Sequence, residues 1–151
     1  VERFQAKKLL SEIIATYKPQ LAKNNQQIIL DMGTDSMTLM DKWMLAQIVH
    51  NIFSNFLKYA GKNTILTCRY IKTETYYIFQ FADNGIGIPD DEIPLVKEKF
   101  YRVDKSRTSQ GETSMGIGLS IVERIARLHN GKLEIQKNTP SGVVIQISIK
   151  R

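Results

Sequence analysis

The chain has 151 residues, 42% of them hydrophobic and 24% charged, which suits one globular domain and excludes a disordered chain. Cys68 is the only cysteine, so a disulfide scaffold is excluded, and no apolar run approaches the roughly 20 residues of a membrane helix. The formal net charge of +6 favours anionic partners in general, but the basic residues are neither densely clustered nor interleaved with aromatics, so no nucleic-acid partner is expected.

In chain order, Val1-Glu2-Arg3-Phe4 lacks the apolar core of a signal peptide, and a start at Val rather than Met reads as a piece of a larger protein. Leu9, Leu10, Ile13, Ile14, Tyr17 and Leu21 recur at helical spacing, predicting an amphipathic helix over about 8–23 with a kink at Pro19. Residues 28–30 read as a short strand entering a turn at 32–35, and Met37–Met40 as another strand. Asp41 suits an N-cap for a second helix that runs to Tyr59 and stops at Gly61. Residues 64–72 and Tyr76–Asp83 flank a three-residue hairpin loop.

The stretch 90–115 is charged and poorly periodic, and a loop that long in a compact domain points to function. Within it Lys97, Lys99, Arg102, Lys105 and Arg107 stand against Glu98 and Asp104. Gly116 opens a third helix through Ile117, Ile121, Val122, Ile125 and Leu128, ended by His129-Asn130-Gly131. Residues 133–136 and 143–149 close the chain as a strand pair around the turn 139–142. The pattern predicts an α+β fold, helices on one face of a mostly antiparallel sheet.

Three constellations carry candidate chemistry. On the second helix Asn51 and Asn55 are four residues apart, with Lys58 and Tyr59 on the same stripe. Such a stripe is either a solvated face or a set of oxygen ligands for a hard cation such as Mg²⁺, with a lysine reaching phosphate. Asp83-Asn84-Gly85-Ile86-Gly87-Ile88-Pro89 ends an apolar strand. It is either an ordinary glycine turn or a carboxylate placed to accept a hydrogen bond from an exocyclic amine, which suits adenine. The dinucleotide pattern G-x-G-x-x-G fails, because Asp90 takes the third glycine's place. Gly111 to Leu119 brings glycines to the start of a helix, either an unstructured loop ending in a helix or a place for phosphate, but lacks the Gly-Lys-Ser/Thr of a P-loop.

In this order the motifs resemble the ATP-binding catalytic domain of sensor histidine kinases, within the larger group of gyrase, heat-shock chaperone and mismatch-repair ATPases. N-I-F-S-N-F-L-K-Y resembles the N box and D-N-G-I-G-I-P the first glycine box. K-F-Y-R-V-D-K-S resembles the phenylalanine box and M-G-I-G-L-S-I-V the second glycine box. The resemblance covers nearly the whole chain and implies one ATP-binding domain over 1–151. Its fold would be a two-layer α/β sandwich of Bergerat type with a long ATP lid at about 90–115.

By matching position, the resemblance implies that Asn55 and Asn51 hold Mg²⁺ on the triphosphate and that Lys58, Arg102 and Lys105 contact phosphate. Tyr59 would lie on the base or sugar side, Asp83 on the adenine amino group, Gly85 and Gly87 around the pocket and Ile88 on the ring. Gly116 and Gly118 would supply backbone N–H groups, Leu119 would also belong to the nucleotide site, and Phe100 would anchor the lid to a helical partner domain. Thr113 and Ser114 stand where the family usually has glycine.

The family's acceptor histidine is missing: His50 lies inside the N box and His129 at a helix exit. The expected partners are therefore a dimerisation and phosphoacceptor domain outside this chain and a response regulator. The isolated domain is expected to be a monomer facing the cytoplasm, its parent in the bacterial cell membrane. The alternatives are a nucleotide-sensing module that binds without phosphotransfer, and an ATPase or serine-kinase relative.

Overall fold

Alternation and helical period together sort the apolar residues of this chain onto two facing surfaces. A computed structural model describes residues 1–89, 92–94 and 113–151, with side chains omitted for 113–117. Its elements are β1 (Glu2–Gln5), α1 (Ala6–Thr16), α2 (Lys18–Lys23), β2 (Gln27–Asp31), β3 (Met37–Met40) and α3 (Lys42–Tyr59), then β4 (Ile65–Lys72), β5 (Tyr76–Asp83), α4 (Thr113–Leu128), β6 (Lys132–Lys137) and β7 (Val143–Lys150).

β4, β5 and β7 alternate, so Leu66 and Cys68, then Tyr77, Phe79 and Phe81, then Val143, Ile145, Ile147 and Ile149 share the inner face. On α3 Met44, Leu45, Ile48, Val49, Ile52, Phe53 and Phe56 follow the 3.6-residue period and meet that face. Phe53 sits edge-on to Phe81, ring centroids 6.5 Å apart. α4 packs beside α3 through Leu119, Val122 and Ala126, all fully buried.

The main sheet runs β2-β4-β5-β7-β6, and β1 pairs with β3 in a separate ribbon. β2 lies parallel to β4, while β4–β5, β5–β7 and β6–β7 are antiparallel. This is the α+β sandwich that the pattern predicts, with α3 as the crossover between β2 and β4 and β3 diverted onto β1.

Three local differences have physical reasons. The single helix expected over 8–23 is two helices divided at Tyr17, and Pro19 sits in the first turn of α2. There its missing N–H costs nothing, whereas mid-helix it would leave a carbonyl unpaired. β1 escaped the periodicity because Phe4 is its one apolar residue; its order comes from pairing, Glu2 opposite Met40 and Phe4 opposite Thr38. α4 begins at Thr113 rather than Gly116, since Thr and Ser cost a helix less than glycine does.

Candidate functional site

α3 is fixed at both ends, and its second half carries the site. At the start Asp41 Oδ1 accepts from the backbone N–H of Trp43 at 2.9 Å and of Met44 at 3.2 Å, as the sequence led us to expect of an N-cap. At the far end the buried Gln26 side chain ties the helix to the turn that follows it. Its Nε2 donates to the Gly61 carbonyl at 2.9 Å, Thr64 Oγ1 at 3.2 Å and the Phe56 carbonyl at 3.3 Å. Ile86 N–H donates to the Ala60 carbonyl, and Gly85 lies so close to Ala60 that no side chain would fit there.

Between this helix end and the sheet lies a pocket. Its apolar floor is Ile52, Phe56, Leu66, Phe81, Val143 and Ile145, and its polar wall is Asn55, Tyr59, Asp83 and Gly87. Asp83 ends β5, and its Oδ1 accepts from Gly85 N–H at 2.9 Å and Val143 N–H at 3.3 Å. Among the described residues nothing bonds Oδ2. Desolvation raises the Asp83 pKa above the usual carboxylate value, and the two backbone hydrogen bonds oppose that rise. The pocket thus offers one fixed acceptor in an apolar slot, suited to the amino edge of a flat ligand.

Asn55 is 9% exposed, and its buried Nδ2 has no hydrogen-bond partner among the described residues. Asn55 is therefore not part of a solvated face. An asparagine amide's two ends are assigned from their partners, so a buried amide with a bare end can equally present its oxygen to a ligand. Gly118 on α4 stands against this amide, where a Cβ would lie 3.3 Å from both Nδ2 and Oδ1. Asn51, one turn earlier, is half-buried and donates from Nδ2 to the Gln47 carbonyl at 2.8 Å, which leaves its oxygen uncommitted among the described residues.

The structure thus brings together Asn55, Tyr59, Asp83, Gly87 and Gly118. Lys58 is exposed beside them. Ile88 and Leu119 lie in the core and do not line the pocket. Gly116 lies on the helical backbone of α4. Arg102, Lys105, Phe100 and nearly all of the proposed lid fall outside the described residues. The two histidines are engaged elsewhere: His50 Nδ1 pairs with Tyr17 Oη at 2.9 Å and His129 Nδ1 with the Ile125 carbonyl at 2.9 Å.

Sequence reasoning missed the brace behind Asp83. Asn138 Nδ2 donates to the Asp83 carbonyl at 2.8 Å, and Gly142 packs against that same carbonyl with φ at +106°. The turn composition of 139–142 was visible; that it reaches Asp83, 55 residues away along the chain, had no local signal.

Residues 40–151 match the family of histidine kinase-, DNA gyrase B- and HSP90-like ATPases, and the chain belongs to that family. Membership makes this an ATP-binding domain. The sensor-like histidine kinase SenX3 of Mycolicibacterium smegmatis is 32% identical over 143 residues, covering 93% of this chain and 36% of that protein. The sensor histidine kinase YclK of Bacillus subtilis is 30% identical over 132 residues, covering 87% of this chain and 28% of that protein. The chain thus spans about a third of the length of these curated relatives. Among solved structures, the catalytic domain of histidine kinase ThkA aligns with a TM-score of 0.81 at 20% identity, over 98% of this chain and 93% of that one. ThkA in complex with the response regulator TrrA aligns with a TM-score of 0.76 at 21% identity, over 98% of this chain and 41% of that one. Among the described residues no helix is long and apolar enough to cross a membrane.

Proposed function

We propose that this chain is the ATP-binding catalytic domain of a two-component sensor histidine kinase. It presents the γ-phosphate of ATP to a histidine on a separate helical dimerisation domain: the bond from γ-phosphorus to the β–γ bridging oxygen breaks, a P–N bond forms and ADP leaves. The observation that carries this reading is the pairing of two features in one apolar pocket: the Asp83 carboxylate with one oxygen unclaimed, and the buried Asn55 amide with one end bare.

In this reading Asp83 accepts from the adenine amino group, with Gly85 and Gly87 shaping the turn around it, Tyr59 beside the base or sugar, and Ile88 and Leu119 backing the site from the core. Asn55 and Asn51 fit Mg²⁺. Both can offer amide oxygens, which suits an ion that takes few protein ligands and completes its shell with phosphate and water. When bound, that ion supplies charge neutralisation on the triphosphate. Lys58, Arg102 and Lys105 add positive charge there; because α4 begins at Thr113, the free backbone N–H groups for phosphate are those of its first turn, and Gly116 and Gly118 serve close approach rather than donation. Phosphoryl transfer depends mostly on such positioning and neutralisation. The parent would be a membrane-anchored sensor with this domain in the cytoplasm, its phosphohistidine handing on to a response regulator.

The test is calorimetric titration of ATP with and without Mg²⁺ into wild type, Asp83→Asn and Asn55→Ala. Asp83→Asn should abolish most binding. Asn55→Ala should weaken the Mg²⁺-dependent part far more than metal-free binding; equal loss in both would remove the metal assignment. Adding the parent's helical domain in trans should then give acid-labile phosphohistidine, whereas binding without label would make this a nucleotide-sensing module.

A further inference from the structure

We propose that Asn138, which does not line the pocket, is a positioning residue for nucleobase selection: it holds Asp83 where its carboxylate can read an amino group. The inference rests on the ATP reading and concerns how its base-reading acceptor is kept in place.

Asp83 is the last residue of β5, paired with Leu66 of β4 on one side but past the end of the pairing with β7 on the other. The pairing of β5 with β7 ends at Ala82 opposite Val144. One residue further, Val143 N–H points at the Asp83 side chain, not at its main chain. The Asp83 carbonyl is taken instead by Asn138 Nδ2 at 2.8 Å. A side-chain amide thus stands in for a rung of the ladder, while the freed backbone N–H orients the carboxylate.

Asn138 is itself tied down on both sides. Its backbone N–H donates to the Gly142 carbonyl at 3.0 Å, and its Oδ1 accepts from Thr139 N–H at 2.9 Å. Ser141 Oγ donates to the Asn84 carbonyl at 3.3 Å. The turn between β6 and β7 therefore grips the Asp83–Asn84 backbone at two points and delivers Val143 N–H to the carboxylate. Removing the Asn138 amide leaves the β7 side of that backbone to Ser141 alone, while β4 still holds the other side through Leu66 and Ile65, and the carboxylate gains freedom in tilt about that remaining edge. A hydrogen bond to a flat base tolerates little tilt.

The discriminating ligand is purine riboside triphosphate, which is ATP without the 6-amino group. Both nucleotides are titrated into wild type, Asn138→Ala, Asp83→Asn and Asn138→Ala/Asp83→Asn, with thermal unfolding followed for each. Wild type should prefer ATP, and Asn138→Ala should lower that preference by about three- to tenfold, the size of one hydrogen bond's net contribution. The preference should be low in Asp83→Asn and unchanged by adding Asn138→Ala, because the amide acts through the carboxylate. Asn138→Ser, which keeps a shorter donor, should fall between and guards against poor folding of the alanine variant. Equal loss of affinity for both nucleotides in Asn138→Ala, or a further fall of preference in the double variant, would overturn the proposal. A wild type that binds both nucleotides equally would overturn the Asp83 reading as well, and is recognisable because it precedes any variant.

Discussion

Gly118 on α4 lies directly against the side-chain amide of Asn55 on α3, close enough that a Cβ at 118 would stand 3.3 Å from both its nitrogen and its oxygen. The glycine is thus the space that lets a buried polar group keep one end bare, and it separates two effects that usually move together.

Gly118→Ala should improve the helix, since alanine is favoured over glycine by about 1 kcal/mol in a helix interior. It should also press Asn55 out of place, and crowding of this kind typically costs about 1–3 kcal/mol. The expected outcome is a thermal midpoint near wild type with Mg²⁺-dependent ATP affinity reduced at least severalfold. Unchanged affinity in calorimetry would show that Asn55 does not need its present position.

Asp83 gives a pH prediction whose sign follows from its raised pKa. A carboxyl that titrates higher in the folded state than unfolded stabilises the fold below the unfolded pKa, and that contribution is lost as pH rises through the folded pKa. The ligand-free Asp83→Asn variant should therefore be at least as stable as wild type at neutral pH, because its amide oxygen can still accept from Gly85 and Val143. The advantage should shrink as pH falls below the Asp83 pKa. Urea denaturation of both proteins across that range checks it; an advantage that grows on acidification would contradict the cause assigned to the shift.

Gln26 is a stability prediction with a chemical control. Gln26→Ala removes three hydrogen bonds of a buried side chain while the Phe56 carbonyl keeps Ala60 N–H and the Gly61 carbonyl keeps the Thr64 hydroxyl, so the loss is the net worth of those bonds, about 0.5–1.5 kcal/mol each. Gln26→Glu should be worse despite its near-identical shape, since it sets a carboxylate against the Phe56 and Gly61 carbonyls that now accept from an amide. A glutamate variant as stable as wild type in urea would mean that packing, not hydrogen bonding, is what Gln26 supplies.

Gly142→Ala tests the brace from its other side. The φ of +106° disfavours any side chain, and a Cβ would collide with the Asp83 carbonyl. Strain of this kind costs about 1–3 kcal/mol before the collision is counted. ATP binding should be lost along with stability, in contrast to Gly118→Ala.

The two-layer sandwich was legible because β5, β7 and α3 carry clean periods, and bounds such as Met37–Met40 and Tyr76–Asp83 coincide with the structure. What escaped was whatever depends on a distant partner. β1 is a strand because β3 lies beside it, and Tyr17 marks a break because Pro19 starts a new helix instead of bending an old one. At the site the ordered motifs pointed to Asn55 and Asp83, yet Asn55 read alone suited a solvated face. Its burial comes from α4, more than sixty residues later. Gln26 and Asn138 show no pattern in the sequence, since a single amide on a neighbouring loop leaves no periodicity.

The bond from Val143 to Asp83 spans 60 residues, and it bears on how this domain comes into being. Val143 and Ile145 form part of the pocket floor, yet they belong to β7, which leaves the ribosome after every other described strand of this domain. A nascent chain that has made α3, β4 and β5 already holds Asn55, Tyr59 and Asp83, but nothing then aims the carboxylate or closes the slot beneath the base. Nucleotide capture should therefore switch on late in synthesis, and ATP should act as a ligand of the finished domain instead of a template for its folding.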